Sequence, residues 1–240
     1  FRARRRLDIG LKYGEAFTNK VAAIPGVIEA TLAGSTRRRR ETIGDLDVVV
    51  SVDDEDHESV ANAILNLNGI ADVKGAGDSK ISLILDTSIF EEGFTVGHID
   101  STVLEAIGGD DYEQLESGGT IDAQVRLVPP HVAAFTLAYF TGSKEHNIAM
   151  RQRAISKGLR LNEFGLIPES DAGELKGMAA AKYSLVATSE QEIYAHLGMQ
   201  WVTPELREDT GEISVTNEKC SNLLLEIPHL SNDNITLQDC

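Results

Sequence analysis

The run DLDVVVSV, Asp45 to Val52, constrains this chain more than any other stretch. Its consecutive valines favour a strand, and a near-continuous apolar run of that kind is buried on both faces. Asp45 and Asp47 stand at i and i+2, so they project from the same face, roughly 6 to 7 Å apart along the backbone. If their heads converge to about 4 Å, they repel by about 4 kcal/mol at an effective dielectric of about 20. A divalent cation between them removes that cost. Ligands that are all hard oxygens imply Mg2+ or Mn2+ rather than Zn2+.

The residues before the strand read GSTRRRRETIG, Gly34 to Gly44, and hold four consecutive arginines in a chain of formal net charge -16. A magnesium ion usually keeps water and substrate phosphate oxygens in its shell. The arginines, and the amides after Gly34 and Ser35 at the start of a short helix, suit such a phosphate. The combination describes nucleotidyl transfer by two metals: one lowers the pKa of an attacking hydroxyl, the other holds a triphosphate leaving group. An isolated Asp-x-Asp also fits an ordinary turn. Gly-Ser about ten residues ahead of Asp-x-Asp on a Val-rich strand is far more specific.

The charge is unevenly spread. Arginines cluster at Arg2 to Arg6 and Arg37 to Arg40, and a third basic group holds Lys144, Arg151, Arg153, Lys157 and Arg160. From Ile81 to Val125 there is no Lys or Arg, while acids recur from Asp86 to Glu116. A basic run is as readily a solvated face as a binding site, but these runs coincide with stretches that carry other functional signals. No apolar run reaches membrane-spanning length, so no membrane partner is expected. FRARRRLDIG lacks the apolar core of a secretory signal and an initiator Met, so a fragment with a missing N-terminal part is expected. Cys220 and Cys240 form neither a metal-ligand spacing nor a disulfide framework, which fits a cytoplasmic protein.

The chain reads as helix 7–24, a turn then a strand within 25–34 that Gly34 and Ser35 end, a short helix from Ser35, the Val strand, an acid-capped helix 53–69 ended by Gly69, strands 71–77 and 80–86, and strand 120–128 stopped by Pro129 and Pro130. Strands and helices alternate up to about residue 128. HVAAFTLAYF is an apolar helix, GSKEHNIAMRQRAISKG an amphipathic one, and SEQEIYAHLG a short one capped by Ser189. The section from 129 to 213 is expected to be mostly helical, and 214–240 a linker or tail.

The stretch AGSTRRRRETIGDLDVVV resembles the palm motif of the family X DNA polymerases, the group of DNA polymerase beta and the bacterial and archaeal PolX enzymes. AYFTGSKEHNIAMRQRAISKGLRLNEFGL resembles the family's thumb, WVTPELREDTGEI its end in PolX enzymes, and GDSKIS a palm strand. The resemblance spans roughly residues 7 to 213 in the family's order. It implies an α+β fold: a nucleotidyltransferase-type palm over 1–128, with a mixed sheet and flanking helices, then a mostly helical thumb over 129–213. It implies template-directed addition of deoxynucleotides to a primer 3′ hydroxyl in gap-filling repair, with Mg2+ or Mn2+ as cofactor and DNA and a deoxynucleoside triphosphate as partners. Asp45 and Asp47 would be catalytic metal ligands. Gly34, Ser35, Arg38 and Gly44 would bind the triphosphate, and Tyr139, Phe140 and Gly142 its sugar and base. Asn147 and Arg151 would lie along the nascent pair and template, and Glu163 would position the thumb. For Tyr139 and Phe140 plain core packing is the competing reading. The full-length protein would carry additional N-terminal domains and a C-terminal PHP domain. No exonuclease activity is assigned to the chain itself.

Two departures leave alternatives open. The family's third metal-binding aspartate lies five residues before a proline, where this chain has Gln124. Asp122 is two residues earlier on the same face and reaches the site only if a β-bulge shifts the register. The acidic region of about 86–116 resembles an insertion, either a flexible lobe or one that repels or mimics DNA. The chain is then an active polymerase, a catalytically weakened DNA-binding module derived from one, or a nucleotidyltransferase with another substrate.

Overall fold

The computed structural model describes residues 4–90, 119–172 and 177–214; the acidic region beyond Phe90 and the tail after Ser214 lie outside them. The first part of the chain runs β1 (Arg5–Arg6), α1 (Leu7–Ala22), β2 (Val27–Leu32), α2 (Gly34–Arg37), β3 (Thr42–Ile43), β4 (Asp45–Val52), α3 (His57–Leu65), β5 (Ile70–Gly77), β6 (Lys80–Asp86) and β7 (Thr120–Val128). Five strands form one mixed sheet in the order β2-β4-β7-β6-β5, with β4 and β7 parallel and the other neighbours antiparallel.

The Val-rich run is the sheet's second strand and is buried on both faces, as its composition requires. Leu46, Val48, Val50 and Val52 join Tyr13, Phe17 and Val21 of α1 and Val60 and Ile64 of α3 in the main core. Val49 points the other way, into a smaller cluster with Ala33, Val128, Val132 and Ala181. Strand alternation places Asp45 and Asp47 on the Val49 face, away from the two helices. The α3 helix is shorter than its acidic run suggests. It stops at Leu65, and Asp56 at its N-cap makes no side-chain cap bond because its own backbone is already helical.

Past Pro129 the chain continues as α4 (Pro130–Thr141), α5 (Lys144–Ser156), β8 (Leu159–Asn162), β9 (Gly165–Pro168), α6 (Glu169–Ala172), α7 (Met178–Ala181) and α8 (Glu190–His196). Pro130 occupies the first turn of α4, where its missing N–H costs nothing. Ser143 and Ser189 cap α5 and α8 by accepting hydrogen bonds from the amides of His146 and Glu192. The β8–β9 hairpin adds two short strands to this mostly helical section. Its four-residue strands are too short for a clear alternation, and Asn162 supplies the turn by accepting from the amide of Phe164 at 2.8 Å. Phe135, Met150, Leu166, Ile193, Tyr194 and Leu197 form this section's core. Among the described residues no helix is long and apolar enough to cross a membrane.

Two polar clusters hold the second section together and fasten it to the sheet. In the first, Glu190, 5% exposed, takes a two-pronged bond from Arg37 (2.9 and 2.7 Å) and a third from Arg207 at 2.6 Å. Burial pushes the Glu190 carboxyl up, but the bonds and charges of Arg37 and Arg207 outweigh it and hold it below the usual range. In the second, His146 is buried with Nδ1 2.7 Å from Glu212 Oε1 and Nε2 2.7 Å from the Tyr194 hydroxyl. Burial lowers the His146 pKa and the charge of Arg207 adds to this, against the opposing pull of Glu212.

Removing one partner of a buried ion pair leaves the other uncompensated, so Glu190→Ala should cost about 3–5 kcal/mol in urea unfolding. The histidine gives a pH dependence. The unfolded chain protonates His146 below about pH 6.5, whereas the folded chain resists it, so its stability is full above that pH and falls below it. Thermal midpoints should drop from pH 8 to pH 5.5, and more steeply in the wild type than in His146→Gln.

Candidate active site

The site is set by the pairing of β4 with β7. The register runs without a break from Asp45 opposite Asp122, through Asp47 opposite Gln124, to Ser51 opposite Val128. The bulge that would slide Asp122 into the position beside Asp47 is therefore not formed. Gln124 stands beside Asp47, and Asp122 beside Asp45. Asp122 is bound by Lys74 of β5, whose Nζ lies 2.5 Å from Oδ1. Among the described residues no group of three or more His, Cys, Asp or Glu is placed to hold a metal.

Asp45 and Asp47 remain as the anionic pair. Burial, and after it the charge of Asp45, raises the pKa of Asp47 to about 6 against the opposing charges of Arg126, Arg38 and Lys80. A carboxylate under that pressure takes either a proton or a cation. The donor set fits a divalent cation through these two carboxylates, with water and substrate oxygens left to complete the shell.

Gly34 explains itself at this point. Its φ is +63°, in the left-handed region, and a Cβ there would lie 2.3 Å from Asp47 Oδ2. The amide of the preceding Ala33 donates to the Asp47 carbonyl at 2.7 Å. The Gly34-Ser35 turn is thus pressed against the carboxylate pair. The following α2 is a single turn, so the phosphate-binding helix N-terminus expected here contributes little. Gly44 sits beside Arg4, whose guanidinium donates to the Thr42 hydroxyl and carbonyl.

The arginine run faces the second section. Arg37 binds Glu190 and the Thr141 hydroxyl. Arg38, expected to meet a triphosphate, donates from Nε to Glu208 at 2.7 Å and from a terminal nitrogen to the Thr141 carbonyl at 2.8 Å.

Tyr139 and Phe140 meet edge to face at 5.1 Å near the end of α4. Asn147 donates to the Tyr139 carbonyl at 2.7 Å, and a Cβ at position 142 would lie 2.7 Å from its Oδ1, so glycine is needed there. Arg151 lies one turn further along α5 and donates to the Asn147 carbonyl. The Glu163 carbonyl, in the β8–β9 turn, accepts from Thr136.

Arg126, which sequence reasoning missed, joins the carboxylate strand to the aromatic end of α4. Its guanidinium stacks 4.2 Å from the Phe140 ring centroid. Burial lowers its pKa, against the charges of Asp47, Glu163 and Tyr139. Its signal was its position: two residues past Gln124 on an alternating strand, hence on the carboxylate face.

Residues 136–208 match the family model of the DNA polymerase beta thumb. The chain is 31% identical over 230 residues, 95% of its length, to the DNA polymerase/3'-5' exonuclease PolX of Bacillus subtilis (strain 168). The chain belongs to DNA polymerase family X. It is also 31% identical over 185 residues to the DNA polymerase lambda of Arabidopsis thaliana, which covers 77% of the chain. It spans about a third of the length of these curated relatives, 33% and 32%. Two solved structures of Leishmania infantum polymerase beta share the fold. The ternary P/T complex aligns with a TM-score of 0.65 at 21% identity, over 86% of this chain and 77% of that one. The ternary gap complex aligns at 0.64 and 20%, over 86% and 71%.

Placing a methyl group at position 34 of this family X chain should displace Asp47 and strain the turn. Gly34→Ala is expected to lower stability by about 1–2 kcal/mol and to weaken Mn2+ binding followed by calorimetry.

Proposed function

We propose that the chain is the polymerising part of a family X enzyme and adds deoxynucleotides, directed by a template, to a primer 3′ hydroxyl in short-gap repair. The observation that carries this reading is the Gly34-Ser35 turn held against Asp47 of an Asp45–Asp47 pair, with Arg126 reaching from that pair to Phe140. Family X polymerases generally depend on a divalent metal. Here Asp45 and Asp47 would hold it, as Mg2+ or Mn2+, and when bound it would acidify the attacking hydroxyl and offset triphosphate charge.

The protein's own groups account for the rest. Ser35, Arg38 and the backbone at Gly34 and Gly44 bind the triphosphate. Tyr139, Phe140 and Gly142 shape the surface that meets sugar and base, and Asn147 fixes that surface through the Tyr139 carbonyl. Arg151 lies along the nascent pair and template. Glu163 and Asp47 share Arg126, so the β8–β9 turn and the carboxylate pair compete for one cation. The DNA partner is gapped or primed duplex.

A second reading is favoured by Gln124 beside Asp47 and by Lys74 on Asp122: a DNA-binding module whose chemistry is weakened. Gln124 offers a carbonyl oxygen but no negative charge, so a primer hydroxyl loses an anionic neighbour.

Primer extension on gapped DNA separates the two. Gln124→Asp should raise the rate by about tenfold or more, equal to about 1.4 kcal/mol of barrier. Asp47→Asn should abolish it, and Asp122→Asn should change it little. Vigorous synthesis by Asp47→Asn would overturn the catalytic assignment. Tight binding of gapped DNA with no extension even by Gln124→Asp would establish the second reading.

A further inference from the structure

The two arginines that leave α2 toward the second section are held in different ways. Arg37 is locked by Glu190, which is 5% exposed and also carries Arg207. Arg38 is held on one edge by a single oxygen of Glu208, which is 22% exposed. Arg40, half exposed, approaches that same oxygen at 3.6 Å. Glu190 is the more enclosed of the two carboxylates and bridges Arg37 and Arg207, whereas Glu208 is 22% exposed and bridges Arg38 and Arg40. The guanidinium of Arg38, itself 13% exposed, donates to a carboxylate or to a phosphate with the same fork of N–H groups.

Glu208 can leave without unfolding its surroundings. On one side Arg207 is fixed by Glu190 and by the Val202 carbonyl. On the other, Glu212 accepts from the amides of Asp209 and Thr210 and is bound to His146. With both neighbours pinned, only the Glu208 side chain has to rotate. Arg38 meanwhile keeps its bond to the Thr141 carbonyl, at the end of the helix that carries Tyr139 and Phe140.

We infer that Glu208 occupies on Arg38 the place of the incoming nucleotide's triphosphate, and that the nucleotide must displace this carboxylate to bind. The inference rests on the proposed triphosphate role of Arg38 and adds a residue that sets nucleotide affinity. It makes part of the phosphate site self-occupied, so weak or singly charged anions are refused while a polyanion displaces Glu208. The coupling is reciprocal: what loosens Glu208 strengthens nucleotide binding by the same factor.

The test is calorimetric titration of the full chain with dCTP and Mg2+. Glu208→Gln keeps the shape and removes the charge. It should tighten binding by about three- to tenfold, as expected where the open state makes up about a tenth to a third of molecules. Arg38→Ala should weaken binding, and adding Glu208→Gln to it should then change nothing, because the competitor has lost its target. Glu208→Ala, read in the same way, keeps the test decisive should the glutamine variant misfold. Unchanged affinity in both Glu208 variants, with Arg38→Ala still weakened, would overturn the inference and leave the triphosphate reading standing. Equal dCTP affinity in the wild type and Arg38→Ala would remove that reading and the inference with it.

Discussion

The burial of β4 on both faces is the constraint from which the site follows. A strand that packs Leu46, Val48, Val50 and Val52 against two helices cannot slip by one residue, since a slip would carry Asp45 and Asp47 into the core. The same strand is zipped in parallel to β7 over seven consecutive pairs, Asp45 to Ser51. Fixing one strand therefore fixes the other, and Asp45, Asp47, Asp122, Gln124 and Arg126 all emerge on the face opposite that core. The carboxylates are tolerated there because that face is closed only further along, by Val49 and Val128 against α4 and α7.

The second organising fact is where the positive charge goes. A chain of net charge -16 has few cations to spare. Arg37 and Arg38 carry theirs inward, to carboxylates that lie 153 and 170 residues away in sequence. Buried pairs of this kind are weak evidence of net stability, because desolvation offsets attraction. Their geometric effect is direct: Arg37 and Arg38, fixed by Glu190 and Glu208, donate to the hydroxyl and carbonyl of Thr141 and so tie the end of α4 to the turn beside the aspartates.

The core elements were legible because they rest on local rules. The Val run, the prolines at 129 and 130 and the serine cap at 189 each follow from the residues themselves. That Asp45 and Asp47 share a face was legible for the same reason, since they stand at i and i+2 on a strand. What escaped was non-local. Arg126 is an unremarkable strand arginine until Phe140 and Asp47 are brought to it. From its residues the arginine run suits a phosphate or a solvated face, because nothing near it in sequence reveals Glu190 or Glu208. The β8–β9 hairpin has strands too short for periodicity to mark, and the register of Asp122 against Asp45 depends on which strand β7 pairs with.

The charges on the carboxylate face show what the glutamine changes. Asp122 is answered by Lys74, and Asp47 is opposed by Arg126, Arg38 and Lys80, so side-chain cations already offset part of the negative charge on this face. An aspartate at 124 would tip that balance to the negative side, beside a carboxyl already held near pH 6. The demand for a cation would then be shared by three anions. With Gln124 it falls on two, one of them Asp47, the carboxylate against which Gly34 is pressed. A cation bound as proposed would therefore touch the carboxylate against which the Gly34 turn is pressed, and the proposed phosphate and metal sites would share the same few atoms.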